Sequence, residues 1–588
     1  MKNLLLLFTL SSVILSCSLY PQTQVNKHSE NASSPYTISS DVKYPREKAE
    51  AQGLEYGIST QGIYSTQAAQ NIINQGGNLI DAFIAASFVI SVERPHSTGL
   101  GGGGFLLFHE AKTKKIYAVD FRERAPIKAT REMYLDAQNQ YIPTLSKDGP
   151  LAIAVPGLVK GLWEVHKKFG KLSWKNVIIP AIELAEQGFD IYASLDVALK
   201  NKKSTLTKNP TASKIFLNSN QEPLQLGQKL IQTDLANSLK LISEQGPSAF
   251  YKGQIAQKMI TEIQKQGGIL SKDDLKNYIV KWREPVHGQF LNYNVYSMPP
   301  PSSGGIHILQ FLNILENEKW TIQDMNRAST IHMQAAALQS AFADRSVYLG
   351  DPDFVKIPQK KLLSKSYALQ RRNEIPNLRA RTGDEVSPGS MSLKEESLET
   401  THISMMDSSG NAIASTQTIN GWMGSSFVIP STGILMNNKM DDFSAKPGAP
   451  NLFGALGGQA NEIEARKTPL SSMSPTLVLD SKNEPILSLG APGGTRIISC
   501  TAETIFNHLY YKLPLWESIT QIRLHHQWKP DTLSIDPPGP PAHEIENLKK
   551  MGYKVEISSV PCRVMAVSRQ EKFTAVADPR DIGTSLAK

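Results

Sequence analysis

The residues with the clearest capacity for chemistry are Thr400-Thr401-His402-Ile403-Ser404, Asn437-Asn438-Lys439-Met440-Asp441-Asp442-Phe443 and Ala491-Pro492-Gly493-Gly494-Thr495. A threonine hydroxyl is a weak nucleophile until a base takes its proton. One chemical solution is an N-terminal threonine whose own α-amine is that base. Thr400 is internal, so this chemistry requires the chain to cut itself between Glu399 and Thr400. Taken alone, the pentapeptide is more simply a threonine that merely starts a strand.

The surrounding chain must position these groups. At 588 residues, with 40% hydrophobic and 20% charged residues, it has ordinary globular composition and is too long for one small domain. The net charge of +8 comes from Lys and Arg scattered among acids rather than gathered in a basic run, which argues against nucleic-acid binding. The start, MKNLLLLFTLSSVILSC, has a short positive end, an apolar core and small residues before Cys17, as export signals do. Ile14-Leu15-Ser16-Cys17 also has the form of a lipobox, so a lipid anchor at Cys17 and a plainly cleaved signal over 1–17 both stand. Residues 18–45, rich in Ser, Asn, Gln and Pro, read as a disordered tether. After export only Cys500 and Cys562 remain, too few for a disulfide framework or a zinc site, and their pairing stays open.

Periodicity predicts two helices between Ser65 and Val92, broken at Gly76-Gly77, the second apolar nearly all round and buried. It is too short to cross a bilayer and contains Asp81. The glycine run at Gly99–Gly104 lacks the lysine-serine ending and following helix of a phosphate loop; it leads instead into strand-like FLLFHE and IYAVDF. From about 150 to 385 the pattern is mostly helical, interrupted by an irregular Met298–Gly305 stretch. Residues 381–399 read as an exposed linker in which a cut is tolerated. Beyond it, THISMMD, AIASTQTIN, PTLVLD and ILSLG form hairpins, and RIISCTAETIFNHLYYKL forms a helix. Early and late strands with helices between them predict an α+β layered fold.

The three motifs, together with Asp120-Phe121-Arg122-Glu123-Arg124-Ala125-Pro126 and Pro469-Leu470-Ser471-Ser472-Met473-Ser474-Pro475, closely resemble the γ-glutamyltranspeptidases from about residue 50 to the end. The resemblance implies a four-layer αββα N-terminal-nucleophile hydrolase. It would be made as a proenzyme that cleaves before Thr400 into a large subunit, 46–399, and a small subunit, 400–588, which stay together as a heterodimer. It implies transfer of a γ-glutamyl group from glutathione or a related amide, through Thr400, to water or to an amino acid or peptide. No cofactor and no metal are implied.

The same resemblance assigns tasks. Arg122 is expected to clamp the donor's α-carboxylate, since a guanidinium donates two parallel hydrogen bonds to that planar anion; the alternative is a structural surface arginine. Ser471 and Ser472 would complete the carboxylate pocket. Gly493 and Gly494 would offer backbone N–H groups to a tetrahedral intermediate. Thr418 would support the nucleophile, Asn420 would bind substrate, and Asp442 would hold the α-ammonium, with Asp441 structural. Because an N-terminal amine needs no histidine, His402, His525 and His526 are assigned to packing.

Two positions depart from the family. At Lys439 the family places a Gln or Glu that contacts the α-ammonium, which a lysine charge repels. Either Lys439 points away and pairs with Asp441 or Glu462, or γ-glutamyl affinity is weaker, or the enzyme favours acyl groups without the amine. Phe453, in the lid-like segment Pro447–Gly454, replaces a Tyr found in some bacterial members. The rival readings are an acylase acting on glutaryl-type amides or polyglutamate, and a non-enzymatic surface lipoprotein with an uncleaved scaffold.

Overall fold

The computed structural model describes residues 37–386, 400–446 and 458–588. The signal and lipobox at 1–17, the Glu399 side of the expected cut, and the lid-like segment with Phe453 lie outside the described residues.

Two seven-stranded sheets, antiparallel throughout, occupy the centre. From edge to edge one consists of Thr584–Ala587, Tyr56–Thr60, Thr401–Asp407, Ala412–Thr418, Gly103–Glu110, Lys115–Phe121 and Lys281–Arg283. The other consists of Glu50–Gly53, Phe573–Ala577, Met565–Arg569, Pro485–Gly490, Thr476–Leu479, Tyr293–Ser297 and Val286–Phe290.

Alternation along the strands makes the layers, because successive side chains point to opposite faces. Phe105, Leu107, Met406, Ala412 and Ala414 meet Leu477, Leu479, Val567 and Ala575 between the sheets. Their neighbours Leu106, Phe108, Ile403, Met405 and Ile413 turn outward, into the core formed with Leu79–Glu93 and other helices. On the far side Val478, Leu487, Leu489 and Ala566 join the helices Gly304–Leu315, Ala328–Tyr348 and Arg496–Leu509. The result is the four-layer αββα sandwich. Every residue of Leu79–Glu93 is buried, and the helix begins in a capping box between Asn78 and Asp81 that satisfies its first N–H groups. Burying each Phe or Ile there contributes about 1.5–3 kcal/mol over exposure.

Four expectations need correction. Residues 37–45 are not tether: Ser39 N–H donates to the Thr520 carbonyl at 2.9 Å and Lys43 N–H to the Pro579 carbonyl at 2.9 Å. The linker does not begin at 381, since Arg381 and Val386 are buried and Gly383 N–H donates to Asp531 at 2.7 Å. The irregular stretch ends at Ser303, because Gly304 and Gly305 already start a helix packed on the second sheet. The region 150–385 also supplies three strands of the central sheets, Lys281–Arg283, Val286–Phe290 and Tyr293–Ser297, which its helical periodicity masked. Cys500 and Cys562 are joined by a disulfide.

His402 lies between the sheets, with Nδ1 2.8 Å from Thr416 Oγ1 and Nε2 3.1 Å from Ser404 Oγ. Burial pushes its pKa down to about 3, so the ring is neutral and packs as expected. His525 and His526 are likewise buried, with His525 Nδ1 2.8 Å from Ser499 Oγ and Trp528 N–H donating to His526 Nδ1 at 3.2 Å. Gly490 faces the His402 ring so closely that a Cβ would stand 2.4 Å from Cε1. Gly490→Ala is therefore expected to overpack the inter-sheet layer and lower stability by about 1–3 kcal/mol, read as a drop in urea midpoint.

Candidate active site

Thr400 immediately precedes its strand, and the register determines what it meets. Thr401 pairs with Gln417, so extending the ladder by one residue sets Thr400 beside Thr418. Thr418 is also the end of its own strand, opposite Gly103, and its Oγ1 accepts the Asn420 N–H at 2.7 Å. That bond turns the chain sharply: Asn420 has φ +85° and brings its amide back toward the pocket.

The Asn437–Asp442 motif is a short helical turn built on its own side chains. Asn437 donates to the Gly101 and Ala154 carbonyls at 2.7 and 2.9 Å and accepts the Lys439 N–H at 3.0 Å. The glycine run thus docks this loop rather than a phosphate; a Cβ on Gly101 would lie 2.2 Å from the Leu435 carbonyl oxygen. Asp441 turns away from the pocket and accepts from Ser146 at 2.6 Å and Tyr141 at 3.2 Å. Asp442 turns inward.

One pocket is lined by Thr400, Thr418, Asn420, Lys439, Asp442, Ser471, Ser472 and Gly494, together with Arg345, Leu470, Met473, Thr495 and Ile497. Two expected site residues do not line it. Arg122 is fully buried behind Asp442, donating from Nη2 to Asp442 Oδ2 and to the Pro469 carbonyl, each at 3.2 Å. Its Nε and Nη1 make no hydrogen bond among the described residues. The surface-arginine reading is thereby excluded. Gly493 lines a separate cavity behind the loop with Trp422 and Cys562. It has φ +132° and no room for a Cβ, which would stand 2.8 Å from the Pro561 carbonyl oxygen. Gly494, with φ +56°, faces the pocket just before the helix Arg496–Leu509.

Ser471 and Ser472 belong to a strap fixed from both sides. Ser471 N–H donates to Pro301, while Ser303 N–H and Oγ donate to the Ser471 carbonyl at 2.8 and 3.0 Å. Arg345, which sequence reasoning missed, donates from Nε to Ser303 Oγ at 3.1 Å and lines the pocket. Burial lowers its pKa to about 10, leaving it cationic at neutral pH. Its one visible signal is an Arg beside Asp344 near the end of an alanine-rich helix that is otherwise mostly apolar or uncharged.

Lys439 points into the site, contrary to the reading in which it turns toward Asp441 or Glu462. Its Nζ donates to Asn420 Oδ1 at 2.9 Å and lies 3.4 Å from Asp442 Oδ2. Burial, then Arg122, lowers its pKa. Glu123, also missed, is buried beside Arg122 with no hydrogen bond to either carboxyl oxygen among the described residues, and burial pushes its carboxyl pKa up. A further cation placed about 4 Å from the Lys439 ammonium would be repelled by about 4 kcal/mol at an effective dielectric of about 20.

Asp442 is thus the anion shared by Arg122 and Lys439. Asp442→Asn strips both of their charge partner and is expected to cost about 3–5 kcal/mol of stability, seen as a lowered thermal midpoint.

Sequence comparison agrees with this geometry. The profile of the family described as Gamma-glutamyltranspeptidase matches residues 65–587. The chain is 41% identical to the glutathione hydrolase proenzyme of Escherichia coli (strain K12), over 93% of each protein. It is 39% identical to that of Pseudomonas aeruginosa, over 90% of this chain and 94% of the relative. Among solved structures, Helicobacter pylori gamma-glutamyltranspeptidase aligns at 40% identity and TM-score 0.55, covering 56% of this chain and 94% of that one. The cephalosporin acylase from Bacillus halodurans shares the fold, with TM-score 0.82 at 24% identity over 93% of this chain and 98% of that one. With the strand Thr401–Asp407 at the centre of the sandwich and family similarity along nearly its whole length, this chain belongs to the γ-glutamyltranspeptidase family.

Proposed function

We propose that the chain cuts itself between Glu399 and Thr400, and that Thr400 then transfers the γ-glutamyl group of glutathione or a related amide to water or to an amino acid or peptide. The observation that carries this reading is convergence: Thr400, Thr418, Asn420, Lys439, Asp442, Ser471, Ser472 and Gly494, from well-separated segments, line one pocket. The name shared by the relatives, glutathione hydrolase proenzyme, supports both the substrate class and the processing.

The chemistry uses one residue twice. In the precursor, Thr400 Oγ attacks the Glu399 carbonyl, the C–N bond breaks as the chain shifts onto oxygen, and water hydrolyses the ester to free the Thr400 amine. In turnover that amine takes the Oγ proton as Oγ attacks the γ-carbonyl. The Gly494 N–H, on the pocket wall, stabilises the oxyanion, and the proton passes to the leaving amine. Water or an acceptor amine then displaces Thr400 from the acyl ester. Thr418 supports the hydroxyl, the Ser471-Ser472 strap holds the carboxylate end with Arg122 fixing Asp442 behind it, and Asn420 orients the acyl chain.

The two pieces remain one body because strands from before and after residue 400 alternate: Thr401–Asp407 lies between Tyr56–Thr60 and Ala412–Thr418. Export to the periplasm, with Cys17 lipidated or removed with the signal, is part of the same proposal. The Cys500–Cys562 disulfide supports it, since such bonds persist in oxidising compartments.

Intact-mass spectrometry of wild type beside Thr400→Ala tests the nucleophile. Two wild-type fragments, the smaller starting at Thr400, and one uncut mutant chain without turnover are expected. An uncut wild type would sink the assignment and favour the binding-scaffold reading. Arg122→Lys, which loses the guanidinium fork, is expected to raise donor KM by about tenfold or more, with a smaller change in kcat.

A further inference from the structure

The Gly493-Gly494 pair is enclosed by two segments that one covalent bond joins. On one side the pair runs directly into the helix Arg496–Leu509: the Gly493 carbonyl accepts the Arg496 N–H at 3.0 Å, and the Gly494 carbonyl accepts the Ile497 N–H at 3.3 Å. That helix carries Cys500, which is fully buried. On the other side lies Pro561-Cys562, so close that a Cβ on Gly493 would stand 2.8 Å from the Pro561 carbonyl oxygen and 2.9 Å from Cys562 Cβ. Residues 558–564 belong to no helix or strand, and Cys562 is held there by Arg523, whose Nη1 donates to its carbonyl at 3.1 Å, and by the bond to Cys500. The Cys500–Cys562 disulfide thus closes a ring around the glycine pair, tying the segment behind it to the helix that follows it across 62 residues of sequence.

We propose that Cys500 and Cys562 are positioning residues of the acyl-transfer reaction, their disulfide clasping the glycine loop so that the Gly494 N–H keeps its place on the pocket wall; this rests on the oxyanion role given to Gly494 above. The loop cannot fix itself. Gly493 and Gly494 hold φ of +132° and +56°, conformations that glycine enters at no steric cost and leaves as easily, and neither residue has a side chain to pack. The constraint must come from what surrounds them. Pro561-Cys562 blocks movement of Gly493 to its rear, and the disulfide keeps that block in register with the helix on which the loop ends. Stabilising an oxyanion requires a donor within about 3 Å of the developing charge, so a loop free to shift by about 1 Å forfeits much of the effect. The oxyanion is absent from the bound donor and forms only along the reaction. Loosening the clasp therefore lowers kcat and leaves KM nearly unchanged.

The test compares the processed wild type with Cys500→Ala, Cys562→Ala and the double variant, using γ-glutamyl-p-nitroanilide as donor and dividing rates by the amount of chain cut before Thr400, counted by intact mass. Each single variant is expected to lower kcat by about tenfold or more with KM within about twofold, and the double variant to lower it no further, because both residues act through one bond. The same split is expected in wild type treated with a small phosphine reductant, which reaches Cys562 from the cavity that it lines with Gly493. Activity there is expected to fall in step with the thiols freed and to return on reoxidation, a measurement that needs no variant to fold. A double variant or a reduced wild type with kcat within about twofold of the oxidised enzyme would overturn the inference even if its thermal midpoint falls, since the bond would then serve stability alone. Losses that add between the two single variants would overturn it as well, by assigning the effect to separate side-chain packing. Failure of the cut, oxidised wild type to turn over the donor would instead overturn the parent reading and this inference with it.

Discussion

The constraint on which the rest of this structure depends is that the nucleophile must be a chain end and yet sit immobile inside the protein. Chain ends ordinarily fray, because few contacts oppose their conformational entropy. Here the problem is solved by beginning a central strand at Thr401. Hydrogen bonds to Gln417 on one side and, from Ile403 onward, to Thr60 on the other hold both edges, while Ile403 and Met405 are anchored in one core and Met406 in another. A break before Thr400 removes one covalent bond and no strand pairing. The sandwich therefore tolerates the cut that its chemistry requires.

The same sheet explains how distant residues become neighbours. Thr418 ends the strand beside Thr400, Gly103 ends the next, and the chain following Phe121 delivers Arg122. The second sheet contributes from the opposite face: its strand Pro485–Gly490 leads into the glycine pair, and its helix Ala328–Tyr348 brings Arg345 against the serine strap through Ser303. Thr418, Gly494 and Arg345 thus reach the pocket at or near the ends of strands and helices, while the serine strap and the Asn437–Asp442 turn are held by hydrogen bonds. Positions that must hold to a fraction of an ångström are best built this way.

Electrostatics then refines what the scaffold admits. A buried ion pair is weak evidence of stability, because desolvation offsets much of the Coulomb attraction. The Arg122–Asp442–Lys439 group instead fixes the charge at the pocket wall: three charges and Asn420 in one arrangement. Arg345 extends the arrangement beyond the family motifs, and Glu123 adds a buried carboxyl group from within one of them. The cluster couples specificity to folding, since the groups that recognise a donor are also those whose charges must be compensated in its absence.

Much of this was legible in the residues themselves. The Thr400 pentapeptide, the Asn437–Asp442 turn and the glycine pair carry local signals, because nucleophile activation, loop capping and close backbone approach each demand particular residue types at fixed spacing. Period-two and helical patterns located most strands and helices for a related reason: each element must bury one face. The short strands at 281–297 escaped notice because neighbouring helical periodicity overrode them, and residues 37–45 and 381–386 read as loose because polar composition does not reveal backbone partners hundreds of residues away. What only the tertiary structure decided is direction. A lysine at position 439 has the same sequence whether it faces solvent or the pocket, and the choice follows from Asn420 and Asp442 arriving within 3.4 Å of its ammonium. The sequence by itself determined which reactive groups this protein carries, because those are covalent facts. The pairing of those groups across segments, and so the charge that a substrate meets, was left to packing, because Coulomb energy depends on distances that exist only once the chain is folded.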